Sequence, residues 1–257
     1  METYDKKAAE LIERSYQTPE IVNQRLRTVA ALALVSGESV LDAGCGTGLL
    51  LELEALAVGS GGRAEGVDFS EDMLAHARAR CGGFEQVKLQ QGSVENMPFE
   101  DASFDALSCT QTLLYVKDMD QALKEFYRLL KPRGRIAIIE TDWSGAIINS
   151  EDQDVTRKIL DALSDAVINP NLPRRLRPML GKVGFSALRV EAIPVLNASY
   201  SKSSFSANML QNYAATARRS GAISDAQADA WLAGIERLIQ KGEYFFCVNR
   251  FLFTAIK

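Results

Sequence analysis

The chain is poor in the residues that many sites depend on. It has one histidine, His76, and four cysteines, Cys45, Cys81, Cys109 and Cys247, with no C-x-x-C pair among them. That spacing argues against a zinc centre and against a disulfide framework, so no metal is expected and the thiols read as reduced. No apolar run is long enough to span a bilayer. Residues 1–6 are polar and lack a signal-peptide core, which predicts a cytoplasmic protein with no membrane contact. The net charge of −4 is small, and acids and bases are mixed along the chain, with no basic stripe. Nucleic acid is therefore a poor partner. There is no internal repeat and no low-complexity segment.

What is present is concentrated in VLDAGCGTG at 40–48. Val40 and Leu41 read as the end of a buried strand, Asp42 as its terminal acid, and Leu49, Leu50, Leu51 and Leu53 as the start of a helix. Strand, glycine loop and helix open a nucleotide-binding βαβ unit. A dinucleotide loop needs G-x-G-x-x-G; here the spacing is G-x-G-x-G, and Leu49 takes the third dinucleotide position. Asp42 would also repel a pyrophosphate and suits a ligand carrying an amine and a sulfonium. The second strand, AEGVD at 64–68, ends in Asp68, placed to accept the hydroxyls of a ribose. Phe69 can pack on the adenine, and Met73 lies one helical turn further on.

The rest of the chain alternates in the same way. Helices are expected within 6–34, first on the apolar face of Ala8, Ala9, Leu11 and Ile12, then from an N-cap at Thr18 with Pro19 in the first turn. Further strands are predicted at 87–89, 104–109 and 135–140, with helices after Ser70 and over 119–130. After Trp143 the pattern shifts. A helix is expected over 155–167, a proline-broken stretch at Pro170, Pro173 and Pro178, a strand at 187–195, helices at 203–219 and 225–240, and a closing strand at 244–256. Thr110, Gln111 and Thr112 follow the fourth strand, at the carboxyl edge where open α/β sheets bind ligands.

Four ordered blocks resemble the class I S-adenosylmethionine-dependent methyltransferases: VLDAGCGTG at 40–48, GVDFSEDML at 66–74, GSVENMPFEDASFDALSCTQTLLYV at 92–116, and the stretch around LKPRGRIAIIETDW ending at Trp143. By pattern they are similar to the small-molecule enzymes of the ubiquinone and menaquinone type. The resemblance implies an α/β fold: a Rossmann-like, doubly wound, mostly parallel seven-stranded sheet with an antiparallel last strand and a helical cover over the active site. It implies one domain over 1–257, with 35–143 as the cofactor-binding core and 1–34, 144–180 and 203–240 as cover.

It also implies S-adenosylmethionine as cofactor, held by Tyr16, Arg25, Asp42, Gly44, Cys45, Gly46, Asp68, Phe69, Met73, Ser93, Val94, Thr110 and Gln111. Gln24 and Arg25 are candidates for the methionine carboxylate. At Ser93 relatives often carry an aspartate that accepts from the adenine amine, so the chain departs from the pattern there. The partner is a small-molecule methyl acceptor, with Tyr16, Tyr115, Asp142, Trp143, Arg175 and Tyr213 as candidates on its side.

His76, beyond the acceptor side, is not expected to act, which disfavours phenol methylation through a His–Asp pair. Asn-Pro-Pro-Tyr after the fourth strand is absent, against methylation of nucleobase or glutamine amines, and the acid cluster of metal-dependent catechol enzymes is not repeated. Arsenic methylation would need more cysteines near the site than Cys45 and Cys109. Against quinones, SCTQTLLYV lacks the usual Asn-Phe-Gly-type stretch. The alternatives are a quinone-type C-methyltransferase, a non-catalytic S-adenosylmethionine-binding protein, and a dinucleotide-dependent oxidoreductase, which the loop spacing opposes.

Overall fold

Local signals set the first elements. A computed structural model describes residues 13–257, so the apolar face predicted at 8–12 lies outside the described residues. Pro19 opens helix α1 (Pro19–Leu32), but the Thr18 hydroxyl does not cap it; it donates back to the Ser15 carbonyl at 2.9 Å. The βα units follow as expected: β1 (Ser39–Ala43), α2 (Leu49–Val58), β2 (Arg63–Asp68), α3 (Glu71–Cys81), β3 (Val87–Gln91), β4 (Phe104–Thr110) and α4 (Met119–Leu129). Ser70 caps α3 by accepting from Met73 N, and Asp118 caps α4 by accepting from Gln121 N, each satisfying a donor that the first turn leaves open.

Strand β5 (Leu130–Thr141) begins directly after α4. The turn expected at Pro132 and Gly134 lies inside it as an irregularity: the ladder with β4 steps from Phe104↔Leu130 to Ala106↔Arg135. Proline cannot donate to a ladder, so looping these residues out preserves the pairing on either side.

The sheet runs β3-β2-β1-β4-β5-β8-β6, with β7 on the other edge of β8. Its first five strands are parallel, and β8 (Phe246–Ile256) enters antiparallel between β5 and β7 (Ser186–Asn197). The expected mostly parallel, doubly wound sheet is present. Among the described residues it has eight strands and not seven, because β6 (Ile147–Ile148) adds two residues beside Cys247 and Phe246, too few for any periodicity to announce.

The segment between β6 and β7 corrects a second expectation. Helix α5 (Gln153–Asp165) agrees with the pattern, but the proline-rich stretch is also helical, as α6 (Pro173–Val183). Pro173 takes the first turn, where its missing N–H costs nothing, and Pro178 is carried inside the helix. Burial explains this: Leu172, Leu176 and Leu180 recur at helical spacing and are fully buried beside Leu123, Phe126 and Phe185. This end of segment 144–180 therefore packs in the sheet's own core, against α4, and not in a cover.

A separate apolar cluster joins α5, α7 (Phe205–Arg219) and α8 (Asp225–Lys241) through Ile159, Phe205, Tyr213, Ala217 and Trp231. Phe246 and Val248 of β8 belong to this cluster, while Phe253 and Ala255 of the same strand belong to the sheet core. Among the described residues, no helix is long and apolar enough to cross a membrane.

Leu176→Ala should cost ~2–5 kcal/mol of stability, the range for truncating a fully buried leucine. Urea denaturation measures it; a loss within about 0.5 kcal/mol, typical of surface changes, would show that α6 is not part of the core.

Candidate functional site at the strand ends

The carboxyl ends of β2, β1, β4 and β5 lie side by side, and short bonds tie them into one platform. Gly44 N and Cys45 N donate to the Val67 carbonyl at 2.7 and 3.0 Å. Gly46 N donates to Asp68 Oδ2 at 2.8 Å, and Ser70 N to Asp68 Oδ1 at 2.9 Å. On the other flank, Thr112 presses against the glycine loop: a Cβ on Gly44 would lie 2.1 Å from Thr112 Oγ1, and Gly44 has φ +82°. Both facts require glycine. The Thr112 and Leu113 N–H groups donate in turn to Glu140 Oε1, at 3.1 and 2.7 Å.

Asp68 is held by these N–H groups at the end of β2, where a carboxylate suits a vicinal diol. Burial raises its affinity for a proton, and the Ser70, Gly46 and Phe69 N–H groups oppose that. Asp42 is turned differently from expectation. Its carboxyl is buried in the sheet and accepts from Ser108 Oγ of β4 at 3.1 Å. Desolvation pushes its pKa up, and the charge of Asp68 adds to the rise. Glu54 of α2 lies nearby, fully buried, and its pKa is raised by burial and by Asp42, with Ser108 opposing the rise. Asp42 thus underlies the loop, and its direct facing of a ligand does not follow from this geometry.

The other cofactor-side candidates fall around this platform. Phe69 stands 49% exposed next to Asp68, while Met73 is buried on α3. Ser93 Oγ donates to Glu95 Oε2 at 3.1 Å, so an acid stands beside the position where relatives carry one. Val94 is buried in the sheet core. Thr110 has a buried, unpartnered hydroxyl. Gln111 adopts φ +55°, and its side chain donates to the Ile139 carbonyl and accepts from Thr141 Oγ1. Left-handed backbone at a non-glycine strand end is a costly conformation held by its surroundings. Cys45 is buried, and desolvation holds its thiol protonated, well above its usual range, as a loop filler would be. His76 sits half-buried on α3.

A second group gathers where the segment before α1 meets α7. Arg25 donates to the Tyr16 carbonyl. Arg80 of α3 donates to the Thr47 carbonyl at 3.0 Å and pairs with Glu13, fastening that segment to the glycine loop. Gln24 accepts from Arg250 of β8. Tyr213 is buried in the helical cluster, edge-on to Trp143 at 5.9 Å between ring centroids. Asp142 is held by Arg174 Nε at 2.6 Å. Arg175, expected on the acceptor side, is exposed, with a 3.5 Å approach to Asn169 Oδ1; its neighbour Arg174, also exposed, is the one that pairs with Asp142. Tyr115 is 40% exposed in the short helical turn after β4.

Three residues escaped the sequence pattern: Glu140, Arg174 and Arg250. Glu140 stood in a quoted motif, and a polar residue ending an apolar strand was a usable signal. Arg250, flanked by the alternating apolar residues of VNRFLF, carried a weaker one.

The fold and this loop define a Rossmann-like α/β protein with a glycine-loop platform at its strand ends. A family model described as a methyltransferase domain matches residues 34–176, more than half of the chain, and the chain belongs to that family. It is 35% identical over 164 residues to an uncharacterized 37.1 kDa protein in transposon TN4556 of Streptomyces fradiae, covering 63% of this chain and 48% of that one. It is 40% identical over 117 residues to the demethylmenaquinone methyltransferase of Staphylococcus aureus (strain MRSA252), covering 46% of this chain and 48% of that one. The chain spans about half the length of these curated relatives. Its fold is shared with the YcgJ protein of Bacillus subtilis (TM-score 0.63, 21% identity, 92% and 98% of the two chains). It is shared too with phosphoethanolamine N-methyltransferase 2 of Haemonchus contortus (TM-score 0.65, 21% identity, 99% and 58%).

Burial raises the Glu140 pKa from 4.5 to about 8, against the Thr112 and Leu113 N–H bonds. A folded-state pKa above the unfolded one favours folding while the group is protonated. The contribution is therefore complete below about pH 4.5 and lost as pH rises through about 8. Glu140→Gln keeps an acceptor oxygen but cannot ionise. Relative to this variant, the wild type should lose on the order of a few kcal/mol between pH 5 and pH 9. Urea midpoints at several pH values measure it, and a pH-independent difference would contradict the assignment.

Proposed function

We propose that this chain transfers a methyl group from S-adenosylmethionine to a small-molecule acceptor. The observation that carries the reading is the Asp68 carboxylate at the end of β2, fixed by the Gly46 and Ser70 N–H groups beside a loop that admits no side chain at Gly44. The donor set fits the cofactor. Asp68 takes the ribose diol, Phe69 and Met73 flank the adenine, and Val94 N–H with the Ser93–Glu95 pair reads its polar edge. Gly44, Cys45 and Gly46 let the chain approach closely, while Arg25 and Tyr16 close the methionine end. Thr110 and Gln111 line the side toward the acceptor, and Asp42 supports the loop from below.

When bound, the cofactor supplies a methyl group on a sulfonium, already a good leaving group. The chain's part is alignment of an acceptor behind that carbon, an effect worth ~7–11 kcal/mol where geometry is good. Family membership and the demethylmenaquinone methyltransferase match support the transferase reading. Helices α5, α7 and α8, with the segment before α1 and without α6, form the cover that selects the acceptor; loops and additions on a rigid scaffold commonly carry specificity. A quinone acceptor is the finer version, supported by relatives named as demethylmenaquinone methyltransferases and opposed by SCTQTLLYV after β4.

Asp68→Ala should weaken S-adenosylhomocysteine binding by ~1.5–3 kcal/mol, the range for hydrogen bonds to a charged group. Calorimetry on the folded variant measures this directly. Wild-type affinity in Asp68→Ala would remove the cofactor assignment, and tight binding with no methylation of any acceptor would favour the non-catalytic alternative.

A further inference from the structure

Among the described residues, Arg250 is the largest fully buried side chain, 1% exposed on β8 between Thr141 of β5 and Ile193 of β7. A buried guanidinium needs partners for its N–H groups and its charge. Those it has are incomplete. Nη1 donates to the neutral Gln24 Oε1 at 2.5 Å, and its faces meet the rings of Phe205 and Tyr16 at 5.2 and 5.5 Å from the centroids. Among the described residues, Nε has no partner. Glu140 supports its charge, but from the other face of the sheet: Arg250 is paired with Thr141, and neighbours along a strand alternate. Glu140 Oε1 is also occupied by Thr112 and Leu113.

Tyr213 presents the same deficit. It is 2% exposed, and its hydroxyl has no partner among the described residues. Desolvation raises its pKa well above the usual phenol range, so the hydroxyl stays a neutral donor and not a base. Arg250 and Tyr213 lie within electrostatic reach of one another, and Tyr16 is within reach of both. The surrounding surface is aromatic: Tyr213 packs edge-on to Trp143 and stacks on Phe246, which also contacts Phe205. Thr141, the ladder partner of Arg250, donates its hydroxyl to Gln111 Oε1 at 2.6 Å and so links this cluster to the strand ends.

Two buried donors without acceptors, one of them cationic, in an aromatic enclosure call for an anionic oxygen group on an apolar body. Resting on the methyltransferase reading of the same cleft, we propose that Arg250 and Tyr213 recognise a carboxylate on the methyl acceptor. Gln24 and Tyr16 hold the guanidinium in place, and the aromatic walls take the acceptor's apolar part. Arg250 is then a specificity residue, with no bond made or broken at it.

The test uses the full chain preloaded with S-adenosylhomocysteine and a panel of carboxylates with their isosteric amides: benzoate and benzamide, phenylacetate and phenylacetamide, octanoate and octanamide. Binding is followed by Trp143 fluorescence and calorimetry. At least one carboxylate should bind about tenfold tighter than its amide, the difference expected of a charge-assisted bond. That preference should vanish in Arg250→Gln and shrink in Tyr213→Phe. No carboxylate preference anywhere in the wild-type panel overturns the proposal, as does a preference that survives Arg250→Gln. If Arg250→Gln does not fold, the wild-type comparison and Tyr213→Phe decide. Failure of the wild type to bind S-adenosylhomocysteine at all would instead remove the underlying methyltransferase reading.

Discussion

The contact between Gly44 and Thr112 sets the shape of everything at the strand ends. The loops after β1 and β4 approach so closely that a single carbon on Gly44 would overlap the threonine hydroxyl. The approach is possible because each loop is anchored from its far side. Asp68 and the Val67 carbonyl draw the glycine loop toward β2. Glu140 draws Thr112 and Leu113 toward β5. Four strands are thereby joined through side chains and loop amides above the level where the ladders end. Disturbing any one anchor releases a loop that the others hold, and preorganisation of this kind reduces the ordering cost of binding.

The same logic separates what could be read in the sequence from what could not. The glycine loop, the Ser70 cap and the strand-end Asp68 depend on residues within a few positions of one another, so their chemistry is visible in a short window. Glu140 and Arg250 depend on partners remote in the chain; Gln24, which receives the Arg250 guanidinium, is 226 positions away. No local pattern encodes such a meeting. Helix α6 shows a conflict of signals. Three prolines at 170, 173 and 178 suggest a broken chain, while Leu172, Leu176 and Leu180 carry helical spacing, and burial of the leucines against α4 prevails. The two-residue β6 lies below the length at which alternation means anything. The Thr18 hydroxyl turned back to Ser15 shows that a residue may hold the N-cap position without making the cap bond.

The described residues share one sheet but form separate apolar clusters, one set around the strands of the platform and one around the later helices. Residues around β1, β2 and β4 fix the platform, while α5, α7 and α8 pack chiefly on each other and on the first residues of β8. The second cluster centres on Trp231, Ile159 and Phe205 but takes in Phe246 and Val248 of β8, so substitutions among these helices reach the sheet at that end and not at the platform. Arg250 sits on β8 between Phe246 and Val248 of the cover cluster and Phe253 and Ala255 of the sheet core. It is placed to read what the cover encloses against what the platform holds.

Strand β8 also shapes how the chain reaches this state. It completes the free edge of β5, yet more than a hundred residues of chain separate Thr141 from its ladder partner Arg250. Those intervening residues form β6, β7 and the helical cover. Until β8 arrives, β5 presents an open row of backbone donors and acceptors on an apolar strand, the kind of edge that invites pairing with other molecules. Closing so long a connection is slow compared with forming the βα units. The interval between making the platform and sealing its edge is the window in which this chain is most exposed to self-association, and faster folding of the cover would shorten it.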